Sequence, residues 1–144
     1  MRKTIRASLA LTLVCALVAC SSSKLNRVIA SVEVAATIPS FPAQVREGFS
    51  ETARALRTVR DNPNAATWQN ALRIFDDLNA RNVFRVSDPN LQATISAIVA
   101  VVRVLLEDAA PQISGDGARA NPDVGKLKEA DVKELERLVR EARK

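Results

Sequence analysis

The chain has 144 residues, with 21 Lys and Arg against 16 Asp and Glu, a formal net charge of +5 and a pI near 9.8. It contains no His, no Tyr and two Cys, so the side chain most used as a general base and metal ligand near neutral pH is missing. Aromatic residues make up 3% of the chain, too few for a nucleic-acid platform built on base stacking.

The first 18 residues divide sharply. Met1 to Arg6 carries Arg2, Lys3 and Arg6, and Ala7 to Val18 is an apolar run. This is the layout of a secretory leader, with cations held at the cytoplasmic face and an apolar segment of roughly 7–15 residues. The run is short of the roughly 20 residues that span a bilayer. At its end stand Leu17, Val18, Ala19 and Cys20, and these four resemble the lipobox of bacterial lipoproteins. The resemblance covers only the first 20 residues or so. It implies that Leu17, Val18 and Ala19 are recognised by the lipoprotein signal peptidase. It also implies that the Cys20 thiol takes diacylglycerol, and that the new amino group is often acylated as well, commonly with palmitate. Ala19 and Ser21 also fit the small-x-small rule for ordinary cleavage after Ser21, and an uncleaved anchor is the other alternative. The expected localisation is the bacterial cell envelope, on the periplasmic face of the outer membrane in a Gram-negative cell, since Ser21 rather than Asp follows the lipidated position.

Cleavage before Cys20 leaves 125 of the 144 residues, enough for one domain with a core. Arg2, Lys3 and Arg6 leave with the leader, which brings the net charge from +5 to +2. Cys15 leaves as well and Cys20 is acylated, so no thiol remains for a disulfide, a metal or catalysis. The expected organisation is a leader at 1–19, a polar spacer at 20–24, and one helical domain at 25–144. The domain's fold class is all-α, a small bundle of about four to five helices.

Along the domain, Leu25, Val28, Ile29, Val32 and Ala36 recur at helical steps up to Pro39, although the β-branched residues lower helix propensity. Residues 25–38 read either as a packed helix or as a tether. Pro39 and Pro42 mark a corner. Val45, Phe49, Ala53, Leu56 and Val59 then form one stripe, with Arg46, Glu47, Glu51, Arg54 and Arg57 opposite. Asp61, Asn62 and Pro63 are expected to stop this helix and cap the next, which turns Trp68, Ala71, Leu72, Phe75 and Leu78 inward. Val83 to Val86 alternate as a scrap of strand would, but with no partner strand they read as an apolar connector, and Ser87 or Asp88 before Pro89 reads as a helix start. The helix from Asn90 to about Ala109 is the most apolar of the domain, and the expectation is that its neighbours surround it. A self-association or partner surface on Leu91–Leu106, or membrane insertion, are the alternatives. Residues 111–122 read as a flexible loop. Asp131 and Glu134 resemble a capping box for the last helix, whose inner stripe is Val132, Leu135, Leu138 and Val139. Glu136 and Arg140 are spaced as an ion pair.

No chemistry-bearing motif follows the leader. Ser21 to Lys24 spells Ser-x-x-Lys, but the companion motif of penicillin-recognising enzymes is absent. Asp76 and Asp77 are adjacent and point about 100° apart on a helix, so they read as a solvated face. The Asp116–Gly117 region has no calcium-loop spacing. Arg54, Arg57 and Arg60, with Arg73, Arg81 and Arg85, make a modest basic surface balanced by nearby acids. No cofactor, metal or nucleic acid is expected. The chain reads as a non-catalytic scaffold or binding module, held at the membrane by acyl chains on Cys20, with an envelope protein or a second copy as partner. A histidine-free hydrolase or transferase using carboxylates, and a phage or defence lipoprotein, are the alternative functions.

Overall fold

A computed structural model of the chain describes residues 23–110 and 124–144. The lipobox residues Leu17, Val18, Ala19 and Cys20, and the whole loop at 111–122, lie outside the described residues. Among the described residues there are five α-helices and no strand: α1 (23–35), α2 (Ala43–Asp61), α3 (Ala65–Ala80), α4 (Pro89–Asp108) and α5 (Glu129–Ala142). A turn of 3-10 helix, Val124–Lys126, leads into α5. The all-α bundle expected from the sequence is the observed fold.

Residues 25–35 are packed helix rather than tether. Leu25, Val28, Ile29, Val32 and Ala35 are buried on one face, and that burial outweighs the β-branched propensity cost of a few tenths of a kcal/mol per residue. The helix already includes Ser23 and Lys24, which the spacing of the sequence assigned to a spacer. Beyond Ala35 the chain turns through Thr37, whose hydroxyl donates to the Val34 carbonyl at 2.8 Å. The corner then drives Ile38 and Phe41 into the core.

The inner stripe of α2 is as expected, and Pro42 sits at its N-cap without a side-chain bond. Capping of α3 differs from the expectation. Asn64, not the Asp61–Pro63 stretch, is the cap: its side chain accepts from Thr67 N at 2.9 Å, and Asn64 N donates back to Thr67 Oγ1 at 3.3 Å. Such reciprocal capping satisfies two end donors that the helix itself leaves unpaired. Leu72 is only partly buried, unlike Trp68, Ala71, Phe75 and Leu78. At α4, Asp88 caps Leu91 N at 2.8 Å and Pro89 opens the helix, as read from the sequence.

The capping box proposed at Asp131 and Glu134 is not formed. Helix α5 starts at Glu129, two residues before Asp131, with Lys128 at the N-cap and no side-chain cap. Glu129 and Asp131 thus fall in the first turn, where carboxylates favour the positive helix end. Glu134 instead pairs with Arg137 at 2.6 Å.

The four Phe side chains form a run through the core. Phe41 and Phe49 lie 6.1 Å apart by ring centroids, Phe49 and Phe84 4.9 Å, and Phe84 and Phe75 5.9 Å. Phe84 comes from the connector between α3 and α4, so this segment is a core element rather than a surface link. Two features hold it in place. Asn82 takes a left-handed turn at φ 57°, a conformation Asn tolerates better than most residues. Gln92 donates to the Phe84 carbonyl at 3.3 Å and accepts from Val86 N at 2.7 Å. Gly48 on α2 lets the connector approach, because a Cβ there would lie 2.8 Å from Val83 Cγ1 and 2.9 Å from Phe84 Cε1.

The expectation that α4 is surrounded is overturned. Its core face is narrow: Ile95, Ile98, Val102, Leu105 and Leu106 are buried, while Val99 and Val101 are half-buried and Val104 is 41% exposed. Eight residues of α2 are buried, against five of α4. Among the described residues α4 alone is long and apolar enough to cross a membrane, with a mean hydropathy of 1.6. In the bundle it packs on α5 and is tied to α3, where Arg103 pairs with Asp76 at 2.7 Å and Trp68 reaches its last turn.

Candidate functional site

Helices α1 and α5 lie side by side and run parallel. Lys24 Nζ donates to the Leu127 carbonyl at 3.0 Å, Arg27 reaches Glu129 and Glu136, and further along Ser31 and Val34 face Val139 and Arg143 across a groove. Contacts that advance together along both helices require parallel axes. Because the two are not joined by a short turn, no local rule in the sequence sets this arrangement.

The junction is held by Arg27. Its Nε and Nη2 donate to Glu136 Oε1 and Oε2 at 2.7 and 2.8 Å, and its Nη1 donates to Glu129 Oε1 at 2.7 Å. Glu129 and Glu136 are two turns apart on the same face of α5, and one guanidinium spans both through its planar fork. The hydrogen bonds from Arg27 hold both carboxyls below their ordinary range, while partial desolvation works the other way. In return the two carboxylates raise the Arg27 pKa further above its already high value. Glu136 therefore takes Arg27 as its partner, not Arg140, the neighbour that α5 spacing suggests.

Past this clamp the helices part and leave an open groove of about 580 Å³, lined by Arg27, Ser31, Val34, Glu136, Val139, Arg140 and Arg143 among others. Its apolar lining comes from Ala30 and Val34 on α1 and from Val139 on α5, and the α5 side also carries Arg140 in its last turn and Arg143 at its C-cap. The Ser31 residue is buried in the base. Such a groove can hold a ligand with one apolar and one anionic part, a common pattern for sites of this size. A smaller polar cleft of about 290 Å³ lies between the end of α3 and α4, with Asn79, Arg85, Gln92 and Arg103 in its walls.

The basic surface expected on α2 is neutralised in part, at Arg57 and Arg60. Arg57 pairs with Glu33 of α1 at 2.6 Å and Arg60 with Asp61 at 2.9 Å. Arg73 is bound to Asn70, and Arg85 lines the smaller cleft. Asp76 accepts from two nitrogens of Arg103 at 2.7 and 2.8 Å, while Asp77 stays exposed. Among the described residues no group of three or more His, Cys, Asp or Glu side chains could hold a metal ion.

Sequence reasoning missed Arg27 and the groove. The pairing of Arg27 with residues 102 and 109 positions away has no one-dimensional signature. The recurrence of Glu129 and Glu136 on one otherwise inward-leaning side of α5 was the available hint that a cation from elsewhere sits between them. Comparison with protein-family models, with curated proteins and with solved structures finds no match for the chain.

Proposed function

We propose that this chain is a cell-envelope lipoprotein, anchored through acyl chains on Cys20, whose helical bundle acts as a non-catalytic scaffold or binding module at the membrane surface. The observation that carries the reading is the order of the first 20 residues: a basic start, an apolar run, and Leu17, Val18, Ala19 and Cys20 at its end. The fold is compatible with it. Helix α1 is under way by residue 23, so only Ser21 and Ser22 separate Cys20 from the described helix. That spacing would hold the bundle close to the bilayer, with the starts of the parallel helices α1 and α5 as its nearest end.

Anchoring confines the domain to two dimensions and raises its effective concentration toward other envelope components. Two or more acyl chains make that attachment stable, where one gives only marginal binding. Weak contacts on the bundle then suffice for function.

The test is mass spectrometry of the membrane-extracted protein, together with fractionation of a Cys20→Ser variant. The expected N-terminus is an acylated Cys20, and the variant should fold but leave the mature membrane-bound pool. An unmodified N-terminus at Ser22, or a variant held at the membrane as firmly as the parent, refutes the anchor.

A further inference from the structure

We propose that the groove between the C-terminal halves of α1 and α5 binds an amphiphilic oxyanion, a phosphate or carboxylate head carrying an aliphatic chain. Four features support this. Glu136, the one side-chain carboxylate among the described residues that line the groove, has both oxygens engaged by Arg27. Arg140 and Arg143 form no ion pair or hydrogen bond among the described residues, and both line the groove as exposed side chains. The lining also includes aliphatic side chains from both helices, Ala30 and Val34 of α1 and Val139 of α5. The volume of about 580 Å³ suits a small amphiphile.

The roles divide along the groove. The guanidiniums of Arg140 and Arg143 are three residues apart on a helix, hence on adjoining turns of one side, and can each donate to a different oxygen of one head. The chain of the ligand lies on Val34 and Val139. The Arg27 clamp does not touch the ligand in this scheme: it holds both oxygens of Glu136, and the one net negative charge that Arg27, Glu129 and Glu136 keep between them is offset by Arg140, which also acts on Glu136. Since α1 and α5 are parallel, their negative C-terminal ends fall at the same side. Those dipoles oppose an anion, so binding depends on the two arginines rather than on the backbone.

This proposal does not rest on acylation of Cys20, and its test does not read membrane attachment. The full chain is titrated with octyl phosphate, inorganic phosphate and octyl glucoside in a calorimeter, with phosphatidylcholine nanodiscs present whether or not the chain attaches to them. Octyl phosphate should bind at one site, at least about tenfold tighter than either control, because each control lacks one half of the ligand. An Arg140→Gln, Arg143→Gln double variant should lose about tenfold or more of that affinity, with an unchanged thermal melt. An Arg46→Gln, Arg54→Gln pair on α2, which removes the same charge outside the groove, should bind like the parent. Nanodiscs doped with phosphatidic acid distinguish the ligand's source. Loss of octyl phosphate binding in them assigns the groove to a bilayer lipid, and retention assigns it to a free amphiphile. Equal binding of inorganic phosphate or octyl glucoside, no binding of octyl phosphate, or a double variant that binds like the parent would overturn the proposal.

Discussion

The indole Nε1 of Trp68 donates to the Leu106 carbonyl at 3.0 Å, inside the core. Leu106 lies in the last turn of α4, where carbonyls have no intrahelical partner, and Trp68 lies in the first turn of α3. One bond therefore finishes the end of one helix and fixes the start of another against it. Replacing Trp68 by Phe keeps a ring but leaves that carbonyl unpaired and out of water. The expected loss is about 1–3 kcal/mol for the orphaned acceptor, with a further contribution from the vacated volume. Urea unfolding followed by circular dichroism measures it; a loss under about 0.5 kcal/mol would mean the carbonyl finds water.

Gly48 offers a case where helix propensity and packing disagree. In the interior of a helix, Ala is favoured over Gly by roughly 0.5–1 kcal/mol. Here the new methyl would press on Val83 and Phe84 at under 3.0 Å, and neither a branched methyl nor a ring packed against two other Phe side chains can yield cheaply. Overpacking of this kind costs about 1–3 kcal/mol. Gly48→Ala is thus expected to destabilise the protein by about 1 kcal/mol or more in urea unfolding, whereas propensity alone gives the opposite sign.

The Arg27 clamp makes stability depend on acid. Glu136 and Glu129 titrate below their ordinary value near 4.5 because Arg27 donates to their charged forms. The unfolded chain therefore binds protons before the folded one does as pH falls. The stabilisation is full above the unfolded value and disappears as pH drops through the lowered folded values. Arg27→Gln should lower the urea midpoint at pH 7, and the gap between variant and parent should be smaller at an acid pH below the lowered carboxyl values. A gap that is the same at both pH values would assign the effect to the packing of the Arg27 stem.

The two faces of α4 should respond unequally. Ile98 is fully buried, and Ile98→Ala is expected to cost about 2–5 kcal/mol. Val104 is 41% exposed, and Val104→Ala should stay within about 0.5 kcal/mol. Thermal or urea unfolding of the pair reads the difference; equal losses would mean that a second surface covers the outer face in solution.

The sequence determined the helices, since their inner stripes are local repeats of about 3.6 residues and their starts are marked by local chemistry such as Asp88–Pro89. It favoured a connector over a scrap of strand at Val83 to Val86, and the connector is what forms. It left open whether residues 25–38 pack, because the apolar period of α1 is the same for a core helix and an unattached one. Only the tertiary structure decided three things: that α1 is core, that the most apolar helix shows a bare side, and that Arg27 takes Glu136 from Arg140. Each depends on which faces meet across the chain. Hydrophobicity along a helix ranks what is available for burial, while the bundle's geometry selects the part that is covered. An ion pair between positions 109 apart exists only because two helices without a short link came to lie parallel. The same parallel packing leaves the groove that Arg140 and Arg143 line, and no pattern within either helix encodes it.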